Sequence, residues 1–148
     1  MSKRADVPFE TTLLVRDTCL CLHVQRAARA LARRFDEALR PIGLTNGQFS
    51  LMMSLNRPAL AGMASVADLL AMDRTTLTAA LKPLARRGLI EVRVDPDDRR
   101  SRLLALTSAG RDLLARAVPI WTENHAAIES LLVGAEPDRL RADLRALS

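Results

Sequence analysis

A chain of 148 residues, 49% apolar but only 3% aromatic, is long enough for one cored domain with helical extensions, its packing carried by leucine and alanine. The net charge is +5 and lysine occurs only at Lys3 and Lys82, so arginine dominates the basic surface, a balance compatible with nucleic acid. No N-terminal apolar signal-like run and no membrane-length apolar run is present, which leads us to expect a cytoplasmic protein.

Residues 1–9 are polar around Pro8 and are expected to form a flexible or loosely docked arm. A long helix is predicted from about Thr12 to Leu39, with Leu20, Val24, Ala27, Leu31, Phe35 and Ala38 tracing one apolar stripe. Leu13, Leu14 and Val15 extend beyond that stripe, which suggests a partner helix from another subunit. Pro41 and Gly43 stop the helix. Thr45 with Gln48 forms a capping-box pattern and opens a helix through Phe49, Leu51, Met52 and Leu55. After a bland linker over residues 59–64, Ser65 with Asp68 repeats the pattern and starts a short helix through Val66, Leu69 and Leu70. Met72-Asp73 turns into the next helix, so the order is helix, short turn, helix.

From Asp73 the chain becomes most informative. Asp73 is a good N-cap, and Leu77, Ala80, Leu81 and Leu84 share one helical face. The opposite face carries Thr75, Thr78, Ala79, Lys82 and Arg86, which suits a polar, anionic partner. Pro83 removes one hydrogen bond within this helix, and Gly88 supplies its left-handed stop. Glu91-Val92-Arg93-Val94 and Leu104-Ala105-Leu106 alternate as strands around the charged, turn-prone segment Asp95-Pro96-Asp97-Asp98-Arg99-Arg100-Ser101. A helix of roughly 10–12 Å fits a DNA major groove about 12 Å wide, and a thin hairpin can place an arginine in the minor groove beside it. Thr107 then caps a long helix to about Val133, with Leu113, Leu114, Val118, Trp121, Ala127, Ile128 and Leu131 on its apolar face and Pro119 inside it. Gly134 ends it, and Pro137 opens a last helix carrying Leu140, Leu144 and Leu147.

The segments Asp73-Arg74-Thr75-Thr76-Leu77-Thr78, Leu84-Ala85-Arg86-Arg87-Gly88-Leu89-Ile90, Asp98-Arg99-Arg100-Ser101 and Leu106-Thr107 with Ala109-Gly110 resemble the winged helix-turn-helix of the MarR (multiple-antibiotic-resistance regulator) family of bacterial transcription factors. The resemblance covers nearly the whole chain in order and size. It implies a mainly α fold with a small β-hairpin wing (α+β) in a single domain over residues 1–148. Within it, a winged helix-turn-helix over about 45–107 is flanked by dimerisation helices over about 10–42 and 108–148. A symmetric homodimer of this kind reads a pseudo-palindromic double-stranded DNA operator with half-sites roughly 34–36 Å apart. It implies further that Arg100 enters the minor groove with Asp98 orienting it, and that Ala79 stands where many relatives carry a basic or polar base-reading residue.

Arg74, Thr75, Thr76, Thr78 and Lys82 form the expected major-groove set, Thr76 being equally readable as a packing or capping residue. Arg93 and Arg102 on the hairpin strands are expected to meet phosphates. The family's usual effectors are aromatic acids or phenolic compounds bound between the dimer helices and the DNA-reading unit, and the first helix and Trp121 are the suspected wall here.

Cys19 and Cys21 admit a second trigger. Their segment resembles the organic-hydroperoxide-sensing branch of the family, whose reactive cysteine matches Cys21; that branch uses tyrosines to activate it, and this chain has none. On one continuous helix Cys19 would share a face with Arg16 and His23, a basic setting of the kind found around reactive thiols. Positions two apart on a helix diverge, so a bridge between the two cysteines is geometrically poor there. The plainer reading is two buried small hydrophobes. Cys19 with His23 could also form half a metal site shared between subunits, but without supporting carboxylates no metal or other cofactor is expected. His125 reads as an exposed helix residue. No nucleophile motif accompanies either histidine, so no enzyme is expected. Beside a repressor released by an effector stand a thiol-triggered regulator and, from another class, a winged-helix module that binds protein alone.

Overall fold

The computed structural model describes residues 5–148. Residues 1–4 of the expected arm, with Lys3, lie outside the described residues; residues 5–8 lead without regular structure into α1 (Phe9–Thr18). The long first helix is two helices. Cys19 adopts an extended conformation, φ −68° and ψ 109°, and α2 (Leu20–Leu39) begins behind it. The Thr18 hydroxyl donates back to the Leu14 carbonyl at 2.7 Å, and Cys19 Sγ accepts the Leu22 N–H at 3.5 Å. Side chains thus bond groups at the junction and favour the break. Of α2, only Phe35 and Leu39 are buried.

A 3-10 turn (Arg40–Ile42) ends at left-handed Gly43. The Thr45–Gln48 capping box forms in both directions, each bond 3.1 Å, and opens α3 (Asn46–Ser54). Asp36 of α2 accepts the Asn46 N–H at 2.7 Å, tying the two helices at that corner. The linker over 59–64 is more than a spacer. Ala61–Gly62 forms β1, paired with Leu104 and Leu103. The short helix α4 (Met63–Leu69) also starts two residues ahead of Ser65: Gly62 is the cap, and the Ser65 hydroxyl donates to its carbonyl at 3.0 Å. Left-handed Ala71 (φ 51°) then turns the chain toward α5.

In α5 (Arg74–Arg86), Asp73 accepts the Thr76 N–H at 2.7 Å, and Leu77, Leu81 and Leu84 are buried. Such burial stabilises by about 1.5–3 kcal/mol per leucine. The Thr76 bonds hold the Asp73 carboxyl below its usual range. A lowered carboxylate value means that the cap contributes fully above the ordinary range and is lost as pH falls through the lowered one. The helix runs through Pro83 to Arg86, and Gly88 (φ 70°) stops it.

Strands β2 (Ile90–Val94) and β3 (Arg102–Leu106) form the hairpin, with β3 central in the order β1-β3-β2. Ile90 pairs with Leu106 and Val92 with Leu104. Buried Ile90, Leu104 and Leu106 face the core that α5 closes. The last long helix, α6 (Ser108–Glu129), stops four residues short of Val133, and α7 (Pro137–Arg145) follows. Thr107 accepts the Gly110 N–H at 3.0 Å and donates its hydroxyl proton to the Gly88 carbonyl at 2.6 Å. Its N–H reaches the Leu89 carbonyl at 3.1 Å, so α6 starts directly on the backbone joining α5 to the wing.

Candidate nucleic-acid interface

The outward face of α5 is fully presented: Arg74, Thr75, Thr78, Ala79, Lys82 and Arg86 are all exposed. Thr76 is exposed as well, yet its hydroxyl donates to Asp73 at 3.0 Å, so it serves the cap, one of its two expected roles. The Thr78 hydroxyl donates to the Arg74 carbonyl at 2.8 Å, which leaves its oxygen free to accept. Lys82, Thr78 and Arg102 meet around a crevice of about 270 Å³ between α5 and the hairpin, floored by Met63, Leu81 and Val92. The structure therefore brings Arg102 together with Thr78 and Lys82 of the α5 set.

It does not add Arg93 to them. Arg93 pairs opposite Leu103, one residue out of step with Val92, so its side chain leaves the other sheet face. There Nε bonds Glu91 at 2.9 Å.

At the tip, Asp98 does not hold the Arg100 guanidinium. Its Oδ1 accepts the Arg100 backbone N–H at 3.0 Å, its carbonyl accepts the Ser101 N–H at 2.9 Å, and Asp97 N–H bonds Asp95 at 2.9 Å. These turns shape the backbone and leave the exposed Arg100 side chain outward. Arg87 was not foreseen as a positioning residue. It donates to the Gly43 carbonyl at 2.8 Å, locking the end of α5 to the entry of α3. A long-range bond from an exposed arginine has no local signature.

The α1–α2 break changes the setting of the cysteines. Arg16 pairs with Asp17 at 2.6 Å, and His23 Nδ1 lies 2.8 Å from the Cys19 carbonyl rather than from its sulfur. Cys19 lies outside α2, so the objection to a bridge within one helix does not apply to it. Cys21 is exposed, not buried, and lines a crevice with Leu20, Val24 and Leu147.

Trp121 stacks on Phe49 at 6.3 Å and on His125 at 4.6 Å. His125 is therefore half-buried rather than free, with Nε2 3.7 Å from Glu129. Trp121, Phe49, Met53, Leu69 and Val118 line a cavity of about 440 Å³ whose other walls are Ser50 and Ser54. Among the described residues, no charged side chain lines it.

Among the described residues, no group of three or more metal-ligating side chains converges and no helix is long and apolar enough to cross a membrane.

Residues 44–101 match the model of the MarR family. The chain is 38% identical to the Mycobacterium tuberculosis transcriptional regulator MosR, whose structure was solved in complex with DNA. The match covers 88% of this chain and 93% of that one, with a TM-score of 0.79. The Escherichia coli transcriptional repressor MprA is 28% identical over 99% of this chain and 81% of its own length. The Rhodopseudomonas palustris transcriptional activatory protein BadR is 35% identical over 95 residues, 62% of this chain, which spans about half (54%) of BadR's length. These relatives are transcription regulators, which agrees with a regulatory reading over an enzymatic one.

Proposed function

Since the chain belongs to the MarR family, we propose that it is a homodimeric regulator that binds a pseudo-palindromic operator, represses there, and is released by a small molecule. The observation that carries this reading is the shared presentation of α5 and the wing: one exposed polar helix face, Lys82 and Arg102 beside it, and Arg100 at an outward tip. Arg74, Thr75 and Thr78 meet bases or phosphates in the major groove. Thr76 supports them through its cap, Arg100 enters the minor groove, and Arg102 meets phosphate. Arg93 touches DNA only if the backbone curves behind the wing. A winged helix that bound protein alone would have no use for this set. The test is selection of duplex fragments by the purified chain, followed by a salt titration. Retained fragments with a shared inverted repeat and a steep salt slope are expected; absence of duplex binding sinks the reading.

Dimerisation rests on uncovered apolar surface. No residue of α1 or α7 is buried. Leu14, Leu20, Leu131 and Leu147 are 57–68% exposed, and Val24, Leu31, Leu140 and Leu144 add to the same terminal elements. A surface of this kind calls for a partner, and the two-fold operator supplies the reason for that partner to be a second copy. Light scattering is expected to give twice the chain mass; a stable monomer at micromolar concentration would refute it.

The effector site we propose is the Trp121 cavity, since it lies between α6, whose far end carries exposed apolar surface, and α3 and α4 of the reading unit. Burying an unpaired carboxylate there is costly, which favours a neutral phenolic compound over an aromatic acid. A neutral phenol should therefore release the operator at concentrations where the matching benzoate does not; the reverse order would displace the site.

A second reading makes thiol oxidation the trigger. Its support is the capping role of Cys19 Sγ at the α1–α2 break: oxygen added to that sulfur alters the junction at the edge of the apolar seam. Cys21 in its crevice is the competing residue. Peroxide release of the operator, reversed by a thiol reductant, should vanish in Cys19→Ser if the cap matters and in Cys21→Ser if the crevice does. Equal responses in wild type and both variants reject the thiol trigger.

A further inference from the structure

The sheet face turned away from α5 holds a second basic site. Glu91 and Arg93 project from it, opposite Ala105 and Leu103. Arg57, just beyond α3, and Arg111, in the first turn of α6, line the same cavity of about 320 Å³. Each guanidinium is held by one set of donors and keeps others free. Arg57 Nε bonds the Ser54 carbonyl at 3.0 Å, Arg111 Nη1 the Leu106 carbonyl at 3.0 Å, and Arg93 Nε the Glu91 carboxylate at 2.9 Å. Three fixed arginines face a single acid, a net of two positive charges in one polar concavity. Arginines whose orientation is already set lose little freedom on meeting a tetrahedral oxyanion, and their forked donors match its geometry.

We infer that this cavity binds a phosphate group carried by a small free molecule. The alternative source of the same chemistry is the DNA backbone. Position favours the free ligand, because Lys82, Arg102 and the α5 face lie on the other side of the sheet. The ligand would bridge the wing, the residues after α3 and the start of α6, and so hold the wing to the body.

The test uses the full chain without DNA, so it does not depend on operator binding. Thermal unfolding is followed in inorganic phosphate and in sodium chloride at matched ionic strength. Phosphate is expected to raise the midpoint saturably and chloride not to. Arg57→Gln should weaken the apparent phosphate affinity about tenfold or more. Glu91→Gln should strengthen it, because it removes the lone competing negative charge while the amide oxygen can still hold Arg93; a merely structural cluster would not predict that gain. Equal effects of phosphate and chloride, or unchanged affinity in both variants, overturn the inference. So does a lowered salt slope of duplex binding in Arg57→Gln without any phosphate binding, which would assign the cavity to the DNA backbone.

Discussion

Gly110→Ala should cost about 3 kcal/mol or more of folding stability, at the upper end of what overpacking does. A Cβ at this position would sit 2.0 Å from the Leu89 carbonyl oxygen and 3.0 Å from its carbon. Both are backbone atoms, so no rotamer change relieves the clash. The first turn of α6 would have to move off the α5–wing junction, breaking the Thr107 bonds to Gly88 and Leu89. Total stability of such a domain is about 5–15 kcal/mol, and the midpoint of a chain this size shifts by about 2–4 °C per kcal/mol. A fall of roughly 6–12 °C is therefore expected by circular dichroism. Gly47→Ala is the internal control: nothing lies within 4 Å of its Cβ, and alanine suits the helix, so its midpoint should hold or rise slightly. Equal midpoints for wild type and Gly110→Ala would dissolve the contact.

Arg100→Ala is expected to weaken operator binding by about 1–3 kcal/mol, roughly five- to 150-fold, with the thermal midpoint unchanged. The guanidinium makes no bond that the fold needs, since Asp98 uses the Arg100 backbone and not its side chain. Lys82→Ala makes a useful contrast. If Lys82 meets phosphate, affinity should fall across all sequences and the salt slope should drop by about one. Loss at Arg100 should instead concentrate on one part of the operator. Titrations of both variants at several salt concentrations separate the two, and wild-type affinity in Arg100→Ala would remove the wing from the contact set.

Features set by neighbours in sequence are legible in the sequence itself. The Thr45–Gln48 box, the Asp73 cap, the Gly88 stop and the hairpin alternation each act within a few residues, so their chemistry and spacing suffice. What escaped depended on distant or very short events. The break at Cys19 is a single extended residue with no glycine or proline to mark it, so nothing local in the sequence separates α1 from α2. Two residues of β1 are too few to alternate, and only their pairing with Leu103 and Leu104 makes them a strand. The outward direction of Arg93 follows from register, whereas its separation from Lys82 needs the packing of α5 on the hairpin. Arg57 and Arg111, 54 residues apart by number, converge only in the folded chain.

The very start of α6 meets the α5–wing junction through backbone carbonyls, one threonine and one glycine. A second link from α6 to α5 runs through Trp121 on Phe49 of α3 and the packing of α4 on α5. Since leucine and glycine take part at the first link through their main chains, the residues proposed to choose the operator and those proposed to line the effector site need not change together. On the proposed reading, variation at Thr75, Ala79 or Lys82 would redirect the protein to another DNA sequence, and variation at Met53 or Leu69 would admit another molecule, without altering the first turn of α6. Under that proposal the fold separates what is sensed from what is regulated, leaving each free to drift under its own selection.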